Sequence, residues 1–406
     1  MKVIFTFGGL AHYYNPILNR LNKINDIDLH VLIPATKSSS IGAGVFEKTD
    51  NVEFTLHRLE ENKRFYGKNF FRGFIPFLER EKPDVVVTTW PYIFEFAFNP
   101  FLRDYFRRNK IKLIVKDIPF QLPRFNNIYK FYWNENLYSE EKGGLYKPTI
   151  SGFFRFIIYT FIRKRVYTFA DAHVDYLEEA KDILPSYGVD KNKIFIIYNS
   201  IDTNKYFEIN KEVQLLPNIL PENKFRIIHI GRLVNWKRVD LIIKAVSIIK
   251  NDLPEIELIV IGDGPQKDEL VQLAKSLNVQ NNINFIGGVY DPKTIGQYLK
   301  SSSIYVLAGM GGLSINEAMS FGKSIVCSVC DGTEKILVRD GFNGKYFKAE
   351  DEIDLAEKLN NLLSNNELIQ EMGRNSLEII NNEINIDIVI KGYLEAFSFV
   401  TNKNYT

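Results

Sequence analysis

Two glycine turns constrain most strongly what this chain can fold into. The stretch Ile227–Asp240 reads IIHIGRLVNWKRVD, an apolar run followed by a glycine and then by an amphipathic segment. The stretch Ala308–Ala318 reads AGMGGLSINEA, a glycine-rich loop that enters a helical pattern. A strand, a glycine turn and a helix start present unpaired backbone N–H groups and the positive end of a helix dipole, which favour an anion. Both turns therefore predict a cradle for phosphate oxygens.

Three charged side chains lie beside these turns. Arg232 and Lys237 add positive charges that can reach the same anion, and Glu317 offers a carboxylate suited to sugar hydroxyls. The two cations could instead be surface charges, but a cation pair at a helix N-terminus opposes the dipole and so favours an anion. Glu317 could instead cap its helix. The combined set of groups predicts a site for a nucleotide diphosphate sugar.

Strand and helix patterns alternate along the whole chain. At 406 residues the chain is too long for one ordinary core, which predicts two domains. The apolar runs are rich in Val and Ile and do not alternate with polar residues, as expected for strands buried on both faces. We therefore predict an α/β fold of two doubly wound, Rossmann-like domains that face a cleft. The stretch from Asp202 to Asn223 contains two prolines and is interpreted as the linker.

The predicted elements are clearest in the second half. Strands are predicted at 2–7, 29–33, 84–88, 111–116, 226–230, 257–261, 283–286, 303–307 and 324–329. Helices are predicted at 15–23, 93–108, 238–250, 266–277, 292–301, 314–321, 353–363, 366–381 and 385–400.

The order and spacing of the motifs resemble those of a known family. G-R-L-V-x-x-K-x-V-D, followed by the glycine loop and E-A-M-x-x-G-K, is similar to the retaining glycosyltransferases of glycosyltransferase family 4. The resemblance covers roughly residues 165–365, and residues 1–160 match only in outline. The further segments that carry it are Tyr198–Thr203, Ile261–Pro265, Asn284–Gly287, Gly332–Ile336 and Asp340–Gly344.

The resemblance implies a two-domain architecture called GT-B. Residues 1–205 would bind the acceptor, residues 206–384 would bind the donor, and a helix at about 385–406 would cross back to the first domain. The implied activity is transfer, with retention, of a sugar from a UDP- or GDP-sugar to a hydroxyl of a glycan or lipid-linked glycan. The implied setting is the biosynthesis of polysaccharide, lipopolysaccharide or capsule.

Arg232 and Lys237 are the predicted catalytic cations, and Asp117 is the predicted catalytic carboxylate. Asp117 ends a predicted strand and would face an acceptor hydroxyl there, although it could instead pair structurally with Lys116 or Arg124. The donor-binding residues that the resemblance and the glycine turns imply are Gly8, Gly9, Gly231, Gly287, Val289, Met310, Gly311, Gly312, Leu313, Ser314 and Glu317.

One position departs from the family. A pair written E-x7-E usually ends at the equivalent of Glu317, but here the first position is Gly309. The missing carboxylate usually lies near the transferred sugar, so the departure favours an alternative, a non-catalytic nucleotide-sugar-binding subunit of a glycan assembly complex. A nucleotide-sugar epimerase is a further alternative. It would need a carboxylate and histidine set that the family-like positions lack.

Composition narrows the partners and the location. A net charge of +2 gives no indication of nucleic-acid binding. The chain contains no stretch of 18 uncharged apolar residues, so we do not expect it to span a membrane. Two cysteines without an export signal are typical of a reducing cytoplasm. Cys327 and Cys330 lack a second pair for zinc, and Asp26-Ile27-Asp28 is interpreted as a turn. We therefore expect neither a metal nor a cofactor besides the nucleotide-sugar co-substrate.

The region from Pro123 to Phe169 combines excess basic charge with interleaved aromatics. Its basic residues include Arg163, Lys164 and Arg165. Such a surface can lie on anionic lipid, which predicts peripheral association with the inner face of the cytoplasmic membrane. The alternative is a core helix with a solvated basic face.

Overall fold

The computed structural model describes residues 1–36, 49, 52–117, 122–134, 137–139, 144–330 and 332–405. It divides into two compact units. The first unit comprises Met1–Leu137, Lys147–Tyr198 and Asp387–Thr406. The second unit comprises Asn199–Ile386 together with Tyr138–Tyr146.

Strands and helices alternate throughout the described residues. The strands are β1 (Lys2–Thr6), β2 (Asp28–Pro34), β3 (Thr55–Leu59), β4 (Glu61–Lys63), β5 (Asn69–Phe71), β6 (Val85–Thr89), β7 (Lys112–Asp117), β8 (Leu137–Ser139), β9 (Gly144–Tyr146), β10 (Ala172–Asp175), β11 (Ile194–Ile196), β12 (Arg226–Ile230), β13 (Glu257–Ile261), β14 (Ile283–Gly287), β15 (Ile304–Leu307), β16 (Ser324–Cys327) and β17 (Gly344–Tyr346).

The α-helices are α1 (Asn15–Asn22), α2 (Phe74–Glu81), α3 (Ile93–Phe98), α4 (Pro100–Arg108), α5 (Ile128–Asn134), α6 (Ile150–Phe169), α7 (Ala180–Ile183), α8 (Thr203–Leu215), α9 (Val239–Ile249), α10 (Lys267–Ser276), α11 (Pro292–Lys300), α12 (Leu313–Ser320), α13 (Glu334–Leu337), α14 (Glu352–Leu363), α15 (Asn366–Asn382) and α16 (Ile386–Thr401).

The first unit is built on a seven-stranded sheet with the order β11-β10-β7-β6-β1-β2-β3. Its ladders are parallel, and the order reverses between β1 and β6. The inner strand β1 is buried because its apolar side chains face covering elements on both sides. Part of that cover is α16, whose Tyr393 and Phe397 contact the ring of Phe5 with centroids 5.7 and 6.5 Å apart.

The second unit is built on a six-stranded parallel sheet with the order β14-β13-β12-β15-β16-β17. Counted along the chain, this order is third, second, first, fourth, fifth, sixth, which is the Rossmann arrangement. The order reverses between β12 and β15, so the chain leaves these neighbouring strands in opposite directions. In folds of this kind, ligands bind at this switch point, beyond the carboxyl ends of the strands.

The predicted α/β fold with two doubly wound sheets is confirmed. The strands and helices predicted between residues 226 and 401 lie within two residues of the observed bounds. The helix predicted at 93–108 is instead two helices, because Asn99 adopts an extended conformation and caps α4 through the N–H of Leu102, with Pro100 as the first residue of α4.

The interpretation of Asp202–Asn223 as a linker is wrong over most of its length. Helix α8 occupies Thr203–Leu215, with Asp202 accepting a hydrogen bond from the N–H of Lys205 at its start. Val213 is buried, and α8 packs against α11 and α12. The prolines lie after the end of this helix, where they are compatible with it.

Candidate functional site

The two glycine turns of the sequence lie side by side at the switch point of the second unit. Gly231 follows β12, and Ala308 follows β15, and these two strands pair directly through Ile227↔Ile304 and Ile228↔Tyr305. The predicted phosphate cradle therefore coincides with the crevice that this topology provides for a ligand.

The loop after β12 is held rigidly by the loop after β13. The N–H of Gly231 donates to the carbonyl of Ile261 at 2.9 Å, and the N–H of Leu233 donates to the carbonyl of Asp263 at 2.9 Å. The chain then forms a short 3-10 helix, Asn235–Lys237. These contacts fix the backbone from which Arg232 and Lys237 project.

The loop after β15 lies directly against this 3-10 helix. The N–H of Met310 donates to the carbonyl of Trp236 at 2.8 Å. A Cβ on Gly309 would overlap that same carbonyl oxygen and would lie 2.7 Å from the carbonyl carbon of Lys237. Only glycine fits at position 309, because the neighbouring backbone fills the space that a side chain would need.

Lys237 reaches across to the glycine loop. Its Nζ occupies the space where Gly311 would carry a side chain, and its Cε lies 3.7 Å from the corresponding point on Gly231. Gly311 has a φ of +145°, which L side chains rarely adopt. The amine therefore lies between the two glycine turns, at the place that the sequence predicts for a phosphate.

Arg232 projects from the same loop as Lys237. Its guanidinium lies over the ring of Trp236, with 5.5 Å from Cζ to the ring centroid. Its Nη1 atom is buried and makes no hydrogen bond in the structure. A buried, unsatisfied donor on a cation is costly and becomes satisfied when an anion binds. In contrast, Arg238 turns away to ion pairs with Asp240 and Glu350.

Glu317 lies on α12, the helix that the glycine loop enters. It is buried with 8% exposure, and burial raises its pKa to about 7 despite a hydrogen bond from the Tyr206 hydroxyl, which acts in the opposite direction. Tyr206 comes from α8, so this helix holds the carboxylate in place. At pH 7 the group is divided between its neutral and charged forms, and a hydroxyl donor would favour the charged form.

The remaining predicted donor residues lie around the same edge. Leu313 and Ser314 form the first turn of α12, where backbone N–H groups have no intrahelical acceptor. The Ser314 hydroxyl accepts a hydrogen bond from Tyr305 at 2.7 Å. The side chain of Thr333 lies against Gly312, since a Cβ there would be 2.7 Å from its Oγ1. The N–H of Met310 is already engaged with Trp236.

Gly287 and Val289 lie further along the edge. Gly287 ends β14 and its carbonyl accepts from the N–H of Gly262 at 2.8 Å, with a φ of +86° at Gly287. Val289 is half-buried in the segment that follows. Since β14 is two strands from β12, these residues lie away from the cations, and a nucleotide base would extend toward them if its phosphates bound at the switch point.

The other predicted residues belong to the first unit. Gly8 and Gly9 follow β1, which borders the switch point of that sheet. Asp117 ends β7, and its carboxylate accepts a hydrogen bond from the buried Tyr167 hydroxyl. Burial raises the pKa of Tyr167 well above its usual value, and the Asp117 charge adds to the effect, so this hydroxyl stays a donor.

A buried polar cluster lies beside Asp117 and was not predicted. Lys116 is 5% exposed, donates to the hydroxyl of Tyr176 at 2.5 Å and to that of Tyr14 at 3.4 Å. Asp175 is fully buried and neither of its carboxylate oxygens has a hydrogen-bond partner. Burial, and then the charge of Asp117, raise the pKa of Asp175 well above its usual value, while Lys116 lowers it.

Sequence reasoning also missed three residues of the second unit's site. Trp236 supplies a carbonyl and a ring, and Tyr206 supports Glu317. His229 is fully buried beneath Gly231, with Nδ1 3.0 Å from the carbonyl of Val306 and Nε2 unpartnered. Burial lowers its pKa to about 4, so the ring is neutral. His229 and Trp236 lie within the stretch Ile227–Asp240, but nothing in its sequence indicates that one ring lies beneath Gly231 or that the Trp236 carbonyl meets the second glycine turn.

Comparison with known proteins finds similarity to glycosyltransferases. Residues 210–378 match the sequence model of the family described as Glycosyl transferases group 1. An uncharacterised glycosyltransferase of Methanocaldococcus jannaschii is 33% identical over 225 residues, which is 54% of this chain and 56% of that protein. A Campylobacter jejuni enzyme, N-acetylgalactosamine-N,N'-diacetylbacillosaminyl-diphospho-undecaprenol 4-alpha-N-acetylgalactosaminyltransferase, is 26% identical over 46% of this chain and 49% of its own length. The chain spans about half the length of the curated relatives it matches.

The fold as a whole is shared with solved structures. Anabaena HepE in complex with UDP superposes with a TM-score of 0.69 at 17% identity, covering 98% of this chain and 100% of that one. At this identity the likeness concerns the fold, which is the two-domain GT-B fold of glycosyltransferases. Within the described residues, no helix has the length and apolar character needed to cross a membrane.

Proposed function

We propose that this protein is a retaining glycosyltransferase of family 4. It moves a sugar from a nucleotide diphosphate sugar to a hydroxyl of a glycan or lipid-linked glycan in the synthesis of a cell-surface polysaccharide. The observation that carries the proposal is the position of the Lys237 amine, which packs against Gly311 between the two glycine turns at the switch point. The match of residues 210–378 to group 1 glycosyl transferases supports it.

The proposed reaction breaks the bond between the anomeric carbon and the diphosphate oxygen. Negative charge then develops on the departing diphosphate, where Lys237, Arg232 and the N–H groups at the start of α12 stabilise it. Such preorganised stabilisation is usually the largest single term in catalysis. The acceptor oxygen forms the new bond on the same face of the sugar, and its proton passes to the departing diphosphate oxygen. Glu317 accepts hydrogen bonds from the ribose hydroxyls.

The proposal assigns the neutralisation of the diphosphate to these side chains and needs no metal in that step. Among the residues that the structure describes, the one group of three His, Cys, Asp or Glu side chains close enough to hold an ion belongs to the first unit. Asp117 is proposed to hold the acceptor hydroxyl. UDP is the first donor nucleotide to test, because HepE has been solved with UDP and with UDP-glucose.

The alternative, a non-catalytic nucleotide-sugar-binding subunit, is favoured by one observation. Position 309 has no side chain and no room for one, so the carboxylate that relatives place near the transferred sugar is absent. Both functions require the protein to bind a nucleotide, but only the transferase turns over a donor sugar.

The deciding experiment uses a panel of UDP-, GDP- and ADP-sugars. Hydrolysis or transfer to lipid-glycan acceptors is measured alongside calorimetric binding of the free nucleotides. Arg232→Gln should weaken nucleotide binding and turnover, whereas Arg374→Gln, an exposed arginine on α15, should change neither. Nucleotide binding without turnover of any donor would support the binding subunit, and the absence of both would contradict both functions.

A lipid-linked acceptor would require the protein to approach a membrane surface, and we place this contact on α6. Four apolar side chains with more than half of their surface exposed recur on one face of α6 at spacings of three or four residues. They are Ile150 (71%), Phe154 (62%), Ile158 (57%) and Phe161 (57%). The exposed cations Lys147 and Arg155 lie on or just before the same helix. An apolar stripe flanked by cations is typical of a surface that lies on anionic lipid.

The basic residues named from the sequence are not equally suited to this contact. Arg163 lies over the ring of Trp90 at 4.6 Å, and Lys164 lies over the ring of Phe125 at 3.9 Å, so both are engaged within the unit. The stripe is the better target. Phe154→Ser with Ile158→Ser should reduce co-sedimentation with anionic vesicles, whereas Phe101→Ser, which changes a still more exposed phenylalanine on α4, should not. Equal co-sedimentation of all variants would exclude the stripe as the lipid contact.

A further inference from the structure

Two histidines and a glutamate that the sequence analysis did not single out converge in the first unit. His30 lies on β2, His57 lies on the neighbouring strand β3, and Glu81 is the last residue of α2. Their side chains are 7%, 17% and 13% exposed. One ligand atom from each lies within 4.8 Å of the others.

The spacing of these three atoms matches a metal-ion site. His30 Nδ1 is 2.7 Å from His57 Nε2 and 3.8 Å from Glu81 Oε2, and His57 Nε2 is 4.0 Å from Glu81 Oε2. A triangle with these sides has a centre about 2.1 Å from each corner, which is the length of a Zn–N or Zn–O bond. An ion at that point would replace the hydrogen bond between the two rings.

A carboxylate behind His30 prepares the ring for an ion. His30 Nε2 is 3.0 Å from Asp28 Oδ1, and because a carboxylate only accepts, the ring proton belongs on Nε2. Nδ1 then carries a lone pair toward His57 and Glu81. Metal-binding histidines commonly donate their second N–H to a carboxylate in this manner, which fixes the tautomer and raises the basicity of the ligand atom.

Two cations already contact Glu81, and they compete with an ion to different extents. Arg80 Nε donates to Oε1 at 2.8 Å, which leaves Oε2 as the coordinating atom. Lys2 Nζ is 3.4 Å from Oε2 and must move when an ion binds there. Asp28 Oδ2, 3.7 Å from the same amine, offers it a second anionic partner.

We propose that His30, His57 and Glu81 bind one divalent transition-metal ion of the Zn²⁺ type. Two imidazoles and one carboxylate are ligands that suit zinc. The two ring nitrogens are now 2.7 Å apart, closer than two ligands of a tetrahedral ion, so they would separate as the ion and a water molecule complete a tetrahedron. Because the ligands come from β2, β3 and α2, the ion joins three elements of the first unit, and its role is structural. The site differs from the expectation, drawn from the sequence, that the chain holds no metal. It is independent of the proposed transferase reaction.

The test uses the full chain stripped with a chelator and then titrated with Zn²⁺ by calorimetry and with Co²⁺ by visible absorption. We expect one ion per chain, with absorption typical of tetrahedral Co²⁺. His30→Ala and His57→Ala should each weaken binding at least about 100-fold. Asp28→Asn should weaken it about 10- to 100-fold, as measured for groups that orient a metal ligand. Lys2→Gln should tighten it, because the competing amine is removed.

The control is His12→Ala, which removes an exposed histidine of the same unit and should leave the affinity unchanged. If His30→Ala or His57→Ala fails to fold, Glu81→Gln carries the test, because the amide keeps the size and removes the anionic ligand. Binding of less than one Zn²⁺ per chain, or equal affinity in the wild type and the ligand variants, would overturn the site. Neither result bears on nucleotide-sugar turnover, which the donor panel measures separately.

Discussion

At the switch point of the second unit, Lys237 and Arg232 lie on a loop among glycines, and Arg232 has a buried N–H donor without an acceptor. At the carboxyl edge of the first unit, Lys116 is enclosed by the Tyr14 and Tyr176 rings and hydroxyls. Glycines border the first two cations, whereas tyrosine rings and hydroxyls surround Lys116. The difference teaches that a cation at the carboxyl end of a strand indicates a ligand site only when the backbone beside it carries no side chains. We call the loop of Arg232 and Lys237 the bare edge and the surroundings of Lys116 the enclosed edge.

The largest expected effect tests whether Lys237, at the bare edge, stabilises the departing diphosphate. Lys237→Ala should lower sugar transfer by about 10²- to 10³-fold, about 3–4 kcal/mol of transition-state stabilisation, because one preorganised charge on the leaving diphosphate is lost. Its free energy of unfolding should change by less than about 0.5 kcal/mol, as for a surface substitution. Lys275→Ala, which removes an exposed lysine of α10, serves as the control. Near wild-type turnover of Lys237→Ala would remove the amine from the mechanism.

The enclosed edge should respond in the opposite manner. Lys116→Met should lower the free energy of unfolding by about 3 kcal/mol, because a charged hydrogen bond and a buried cation–π contact are lost together. Lys112→Met, on the same strand, removes an amine that is 40% exposed and paired with Asp171, and should cost less than about 1 kcal/mol. Urea denaturation of both variants makes the measurement. Equal stabilities would show that enclosure at Lys116 contributes nothing.

The contact between the two glycine turns predicts that any side chain at position 309 lowers the stability of the fold. Gly309→Ala should lower the free energy of unfolding by about 1–3 kcal/mol, because its Cβ meets the backbone of residues 236 and 237. Gly309→Glu introduces the carboxylate that the resembling family carries at this position. It should lower the free energy of unfolding at least as much as Gly309→Ala and should leave donor-sugar preference unchanged. The control is Gly288→Ala, whose Cβ would meet only the flexible side chain of Tyr290 at 3.2 Å. A stable Gly309→Glu variant with changed donor preference would contradict this account.

The smallest effect concerns pH. Because burial raises the pKa of Glu317 to about 7, its carboxylate is mostly neutral at pH 6 and mostly charged at pH 8. The charged form accepts ribose hydrogen bonds more strongly than the neutral form, so nucleotide affinity should rise up to about 10-fold, or about 1.4 kcal/mol, between these values. Calorimetry of Glu317→Gln at both values isolates the contribution, since glutamine does not titrate. The same pH dependence in both proteins would remove Glu317 from nucleotide binding.

The bare edge was predictable because its information is contiguous in the sequence. Strand, glycine and cation follow one another within Ile227–Asp240, and periodicity alone located β12 and α9. The contact of Met310 with Trp236 could not be predicted from the motif. The contact depends on the 3-10 helix Asn235–Lys237, whose formation has no strong sequence signal. The lack of space at Gly309 follows from that contact, whereas the sequence indicated only a missing carboxylate.

The enclosed edge could not be predicted for a physical reason. Tyr14, Lys116, Tyr167 and Asp175 come from four separate segments, and a single sequence does not reveal which of them meet. The strand β3 escaped prediction because its polar and half-buried residues form no continuous apolar run. The strand β11 escaped because its apolar run, Ile194–Ile196, is only three residues long. The roles assigned to Asp117, Gly8 and Gly9 stay predictions.

The packing of α16 onto β1 has a consequence for how the protein is made. Phe5 lies near the start of the chain, and the Tyr393 and Phe397 rings that cover it are synthesised almost 400 residues later. During synthesis, β1, an inner strand of the first sheet, therefore lacks this cover for as long as the second unit takes to emerge and fold. An apolar strand left open during synthesis is prone to aggregation and is a natural client for a chaperone. Truncation before α16 should therefore reduce soluble yield even though every residue of the candidate nucleotide-sugar site is retained.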